Sequence, residues 1–200
     1  FIVLCGAADD GKGTYNLTSF SLNSSCEQLY LSRREKIVDF AALRDIPYEC
    51  SFGRMDGENG WFYFANPSPG KANTDGARRV SAKPVNLTPD GVFDEVEGVT
   101  VELSGSGTVR YTLDGSTPTE SSPEYTGALT VTSTCVIKAV CFEEGALPSR
   151  TLALSYIINE GHNLPVVSLV SEDKVEFSQM YNGPVKGEEL PASVSLYRDG

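Results

Sequence analysis

The sequence predicts an all-β chain: two antiparallel β-sandwiches in tandem, then a short α+β segment at the C-terminus. Three observations carry this expectation. Apolar and polar residues alternate at period two through most of the chain, the pattern of half-buried strands. The alternating segments recur about 8–12 residues apart with turn residues between them, as in a sandwich, and 19 Gly and 11 Pro supply those turns. Between residues 1 and 160 no stretch has convincing helical periodicity.

The first domain is placed at 1–76. Phe1–Leu4 is a short apolar run ended by the acidic loop Gly6–Gly13. Cys5 follows Leu4, whereas a lipid-anchor cysteine follows a small residue, and no basic stretch precedes it, so a buried strand is favoured. Thr18–Leu22 and Glu27–Leu31 alternate as strands, and Ser32–Glu35 turns the chain into Lys36–Phe40 as a hairpin partner. Ser51–Trp61 carries three glycines and reads as a turn-rich connection. Trp61–Phe64 is an aromatic strand closed by Asn66-Pro67-Ser68-Pro69-Gly70, and Lys71–Arg79 reads as a polar linker.

The second domain is placed at 77–160. Val99, Val101 and Leu103 share one strand face, and Val109, Tyr111 and Leu113 do the same after the Ser104–Gly107 turn. Asp114-Gly115-Ser116-Thr117-Pro118 is a tight turn whose Asp side chain is placed to cap backbone amides. Leu129–Val131, Thr134–Phe142 and Leu152–Ile158 come next, with Cys135, Ile137, Ala139 and Cys141 on one face and Lys138 opposite. The remaining residues, 161–200, differ. Leu164–Val170 is a strand, Ser171 can N-cap a short helix to about Tyr181, Asn182-Gly183-Pro184 breaks it, and Ala192–Tyr197 is a strand. Asp199-Gly200 is a hairpin turn, and the chain begins without Met, so a longer protein is expected at both ends.

Composition excludes several functions. With 16 Lys+Arg against 27 Asp+Glu, the formal net charge is −11, which repels nucleic acid and anionic membrane surfaces. No apolar run approaches the ~18–20 residues of a membrane span. Five cysteines, with no C-x-x-C and no histidine at ligand spacing, read as buried free thiols. Cys135 and Cys141 lie too far apart along one strand to bridge, and the pairing of Cys5, Cys26 and Cys50 is left open.

The residues select no catalytic chemistry. Gly6-Ala7-Ala8-Asp9-Asp10-Gly11-Lys12 nearly fits a phosphate-binding loop, but Gly13 stands where Ser or Thr should hold magnesium, and the aspartates repel phosphate. His162 is the sole histidine, and no nucleophile elbow accompanies it. The pairs Asp9/Asp10, Glu143/Glu144 and Glu188/Glu189 are adjacent in turn-like sequence and read as solvated. No catalytic or cofactor-binding residue is assigned and the metal set is open, with calcium on the loop oxygens of Asp9–Gly13 or Asp56–Asn59 as the candidate ion. Trp61 and Tyr63, on one face of the aromatic strand, are the candidate ligand-stacking residues, against core packing as the other use. Tyr111 and Tyr125 pose the same choice. Three Asn-x-Ser/Thr triplets at Asn16, Asn23 and Asn86 matter only in a eukaryotic secretory pathway.

These stretches carry three resemblances. Residues 1–75 resemble the later part of a bacterial lamin tail domain, an immunoglobulin-like sandwich, through the strand order, Ser51-Phe52-Gly53-Arg54, Asp56-Gly57, Trp61 and Pro67–Asn73. The family's opening strands have no counterpart. Residues 80–158 resemble the fibronectin type III-like module found beside chitobiase-type and surface-protein domains, through Val109–Thr119, Tyr125-Thr126-Gly127, Ile137-Lys138-Ala139 and Pro148-Ser149. Residues 163–200 resemble the start of a spore coat CotH-type domain, through Leu164–Leu169 and Ala192–Gly200.

Together these imply non-catalytic spacer or adhesion modules, extracellular or on the surface of a Gram-positive bacterium. The implied partners are a cell-wall or other polysaccharide, or a surface protein, and a monomer is expected. The alternative is the N-terminal, non-catalytic part of a CotH-like atypical protein kinase whose active site lies beyond residue 200. A weaker third reading is an appendage of a glycan-degrading enzyme.

Overall fold

The computed structural model describes residues 4–5, 16–17, 27–47, 50–161, 164–171, 173–183 and 190–198. Its contacts divide the chain into two compact units, Phe1–Arg79 and Val80–Gly200. As expected, the architecture is all-β with one helix.

In the first unit, Gln28–Arg33 pairs antiparallel with Lys36–Ala42, placing Tyr30 opposite Phe40. The ladder runs to Arg33, so the turn is only Arg34-Glu35 rather than the four residues read from sequence. Both have left-handed backbone, φ 49° and 63°, the geometry that matches strand twist in a two-residue hairpin.

The segment Ser51–Trp61, read as a connection, contains the strand Ser51–Gly53, which pairs with Phe62–Phe64. Its glycines have two different uses. Gly57 and Gly60 have φ 79° and 97° and serve the turn, whereas Gly53 sits in the ladder opposite Phe62.

The aromatic rings alternate between the two faces of the strand Phe62–Phe64, but neither face is left open to solvent. Phe62, Tyr63 and Phe64 are 3%, 8% and 3% exposed, because both faces of this strand are covered. Tyr63 meets Phe52 at 4.8 Å between ring centroids on one face. On the other, the Phe62 and Phe64 rings lie 6.4 Å apart, with the Arg78 guanidinium 4.1 Å from the Phe62 ring.

That second cover comes from the presumed linker. Tyr63 and Ala77 exchange two backbone hydrogen bonds of 2.8 Å, which folds residues 71–79 back onto the aromatic strand. Gly76 is thereby pressed on the rings: a Cβ there would lie 2.7 Å from both Phe62 Cβ and Phe64 Cε1. Gly76→Ala should therefore cost about 1–3 kcal/mol by overpacking. The measure is the denaturant midpoint of the unfolding phase that quenches Trp61, and an unmoved midpoint would refute this packing.

The second unit is a sandwich. One layer is a four-stranded sheet in the order Thr108–Thr112, Cys135–Phe142, Leu152–Ile158, Gly91–Phe93. Its pairings are antiparallel except the last, where Gly91–Phe93 runs parallel to Leu152–Ile158. Facing it are the pairs Val99–Val101 with Leu129–Val131 and Val85–Asn86 with Leu103–Ser104. Between the layers lie Val99, Val101, Leu103, Val109, Val131, Ile137, Ala139, Cys141, Leu154, Tyr156 and Ile158. The period-two pattern put Ile137, Ala139 and Cys141 on this inner face, and they are there at 0% exposure.

Lys138 points the other way, yet it too is buried. The C-terminal hairpin, Val166–Ser171 with Ala192–Tyr197, meets the sheet's outer face. Lys138 Nζ donates to the Ser171 carbonyl at 2.6 Å, the Ser155 and Ser168 hydroxyls are 2.6 Å apart, and Tyr197 Oη donates to Asp90 Oδ2 at 2.6 Å. Satisfied hydrogen bonds are what make such polar burial tolerable.

The helix Lys174–Asn182 connects the two hairpin strands. Its N-cap is Asp173, not Ser171. Ser171 stays in the ladder opposite Ala192, while the Asp173 carboxylate accepts from the Val175 and Glu176 amides at 2.6 and 2.9 Å.

Candidate ligand-binding site

The site is built from the two hairpins of the first unit. Phe40 and Ala42 project from one face of the strand Lys36–Ala42, and Arg44 continues the same spacing. Phe52 and Tyr63 oppose each other across the second hairpin, with Trp61 just before its strand. These six, with Arg78 from the returning segment, line a cavity of about 320 Å³. Phe40 is 56% exposed on its rim.

Trp61 is held from two sides of the sequence. The Phe52 ring stacks on it at 5.3 Å and 16° between planes, and the Arg54 guanidinium lies 4.8 Å from its ring centroid. Arg54 is fixed in turn by a fork onto Asp39, with contacts of 2.9 and 2.5 Å. The Arg54 hydrogen bonds, then the Phe40 amide, hold the Asp39 carboxyl below its usual range. Arg78 donates to the Asn59 carbonyl at 2.7 Å and lies 3.6 Å from the Glu58 carboxylate.

Both residues singled out from sequence, Trp61 and Tyr63, thus line one cavity, Tyr63 by little more than an edge. Sequence reasoning missed Phe40, Phe52, Arg44 and Arg78. The spacing of Phe40, Ala42 and Arg44 was a usable signal. Phe52 was hidden in a stretch read as turn, and Arg78 in one read as linker.

The other candidates resolve differently. Tyr111 and Tyr125 meet edge-to-face at 6.5 Å against the sandwich core, and the Tyr125 hydroxyl accepts from the Leu103 amide at 3.0 Å, so they serve packing. Asp114 caps its turn as expected, accepting from the Ser116 amide at 3.0 Å. Glu143 accepts from the Ser106 hydroxyl at 2.7 Å. In the loop Asp56–Asn59, Glu58 and the Asn59 carbonyl already face Arg78.

Among the described residues, no group of three or more His, Cys, Asp or Glu is placed to hold a metal ion, and no helix is long and apolar enough to cross a membrane. Burial pushes the Cys135 and Cys141 thiols up, which keeps them protonated and inert. His162, Cys26, Asp9/Asp10, the loop Gly6–Gly13 and Glu188/Glu189 lie outside the described residues, as does the Cys5 side chain.

Comparison with known families gives one match. Residues 88–153 match the chitobiase/beta-hexosaminidase C-terminal domain, a β-sandwich module. The matched stretch covers about a third of the chain and takes in the sandwich strands from Gly91–Phe93 to Cys135–Phe142, ending at the start of Leu152–Ile158. It fits a non-catalytic module. No curated protein and no solved structure matches the chain.

Proposed function

We propose that this chain comprises non-catalytic modules of an extracellular or cell-surface bacterial protein, with the first unit binding polysaccharide and the second serving as a spacer. The observation that carries the binding role is the cavity of Phe40, Phe52, Trp61 and Tyr63. Sites for small ligands are concave, largely apolar and aromatic, with a few polar groups. At about 320 Å³ this one is of a size for a single sugar ring.

The matched name supports a carbohydrate setting, since chitobiase and β-hexosaminidase are both named for glycan substrates. A packed sandwich supplies the rigidity a spacer needs, leaving loops and rims to bind. In this reading residues 1–76 form the lamin-tail-like sandwich, 77–160 the fibronectin type III-associated module and 161–200 the start of a CotH-like domain.

The test is a pull-down against insoluble peptidoglycan, chitin, xylan and cellulose, with and without calcium. Saturable binding to at least one is expected, weakened about tenfold or more by Trp61→Ala, a loss of ~1.4 kcal/mol. Trp61 also packs on Phe52, so Phe40→Ala, at the exposed rim, is the fold-neutral companion and should weaken binding as well. No binding to any polysaccharide, these four or an acidic one, or binding unchanged in both variants, would overturn the proposal.

One observation favours the second reading, the non-catalytic start of a CotH-like kinase. The outer face of the C-terminal hairpin pairs Val167 with Leu196 and Leu169 with Val194, and these are 48–67% exposed. An apolar two-stranded ladder is marginal alone and gains stability from a further layer. A longer version of the protein that transfers phosphate from ATP would support this reading, and one that does not would remove it.

A further inference from the structure

We infer that the first-unit cavity takes an acidic sugar, a ring bearing a carboxylate, in preference to a neutral one. The inference rests on the polysaccharide-binding reading above and specifies its ligand. It comes from an imbalance in hydrogen-bonding chemistry. Among the described residues, the polar side-chain groups lining the cavity are two guanidiniums, Arg44 and Arg78, the indole N–H of Trp61 and the hydroxyl of Tyr63. Each guanidinium offers five N–H donors and no acceptor. Among the described residues, no Asp, Glu, Asn or Gln lines the cavity.

A neutral sugar presents hydroxyls, which both donate and accept, and is served poorly by walls that mainly donate. A carboxylate only accepts, and a guanidinium meets it with two parallel bonds. Donors and ring fit together: the aromatic walls take the faces of the sugar, and the arginines take its acid group.

The two arginines are unequally occupied. Arg78 spends one N–H on the Asn59 carbonyl at 2.7 Å, and its 3.6 Å approach to Glu58 is between exposed groups. Arg44 is exposed and has no hydrogen-bond or ion-pair partner among the described residues. Arg54, by contrast, is committed to Asp39 and positions the Trp61 ring instead. Arg44 is therefore the residue on which recognition of the acid depends most.

The distribution of charge agrees. Residues 1–79 hold 9 Lys+Arg and 10 Asp+Glu, against 7 and 17 in residues 80–200. Almost the whole net charge of −11 sits in the second unit, so the first is the unit an anionic polymer can approach.

The experiment is isothermal titration of the 200-residue chain with polygalacturonate and with its fully methyl-esterified counterpart, which keeps the rings and removes the charge. Binding to polygalacturonate is expected, at least tenfold tighter than to the ester and weakening as NaCl rises. Arg44→Gln should weaken polygalacturonate about ten- to a hundredfold, weaken the ester by clearly less, and leave the melting temperature unchanged. Arg44→Lys, which keeps the charge and loses the fork, should fall between.

Equal affinity for the two polymers, or an Arg44→Gln chain that binds polygalacturonate normally, overturns the acidic preference while polysaccharide binding stands. Failure to bind either polymer, with binding to chitin, xylan or cellulose retained, also overturns it alone. Failure on every glycan overturns both.

Discussion

Ile137→Asp is expected to unfold the second unit. Ile137 is at 0% exposure in the middle of the strand Cys135–Phe142, opposite Leu154 in the neighbouring strand. A carboxylate there has no cation and no donor within the layer formed by Val101, Leu103 and Val109. It must either ionise unpaired or fold only when protonated, and each costs several kcal/mol. Domain stability is commonly only about 5–15 kcal/mol, so this one change removes a large part of it. Circular dichroism melts should show the cooperative transition of the second unit lost or displaced by tens of degrees. A variant that melts as the parent does would remove Ile137 from the core, and with it the sandwich register.

The second large effect belongs to Tyr156, the bulkiest side chain at 0% exposure. Its ring stacks near Phe93 at 6.0 Å, and its hydroxyl donates to the Thr88 carbonyl at 2.9 Å. Tyr156→Ala should cost about 3–5 kcal/mol, the range for emptying an aromatic site. Tyr156→Phe keeps the volume and should cost only about 1 kcal/mol, the net worth of the hydrogen bond plus the stranded acceptor. Equal losses for the two variants would contradict a packing role.

The same residue predicts an alkaline limit. Burial, ahead of its other influences, pushes the Tyr156 hydroxyl from 10.0 up to about 12. A folded-state value raised above the unfolded one favours the neutral form in the fold. Its contribution is complete below pH ~10 and is lost as pH rises from there through about 12, amounting to about 2–3 kcal/mol. Tyr197, also raised, loses stability in the same direction. Tyr156→Phe should flatten the alkaline part of the stability curve, measured by denaturant midpoints from neutral pH into the range where tyrosine ionises.

The second unit was legible because its central strands, Cys135–Phe142 and Leu152–Ile158, are long enough to display their period. In the strand Cys135–Phe142 the single lysine, Lys138, marks one face, and the period of two then puts Ile137, Ala139 and Cys141 on the other. The Asp114 turn was equally plain, since a short acidic side chain before Gly and Ser has one common use. Lys138 was legible only in part. Its face could be read, but its burial depends on a hairpin strand whose Ser171 lies 33 residues later in the chain.

The first unit was harder for the opposite reason. Its second hairpin has three-residue strands, too short for a period, and Gly53 inside one of them reads as punctuation. The aromatic strand showed no polar side to mark the outside, so the two-sided burial of Phe62–Phe64 was invisible. The cavity inherits both problems. Trp61 and Tyr63 stood out as aromatics, whereas Arg78 became cavity-lining only once Ala77 paired with Tyr63.

Saccharide binding in the first-unit cavity can be followed by tryptophan fluorescence, because Trp61 is the sole tryptophan of the chain and lines the cavity. Titration with oligogalacturonates should give a saturable change in its emission, with the same affinity found by calorimetry and weakened in Phe40→Ala. Calorimetric binding that leaves the Trp61 emission untouched would place the ligand elsewhere and contradict the account.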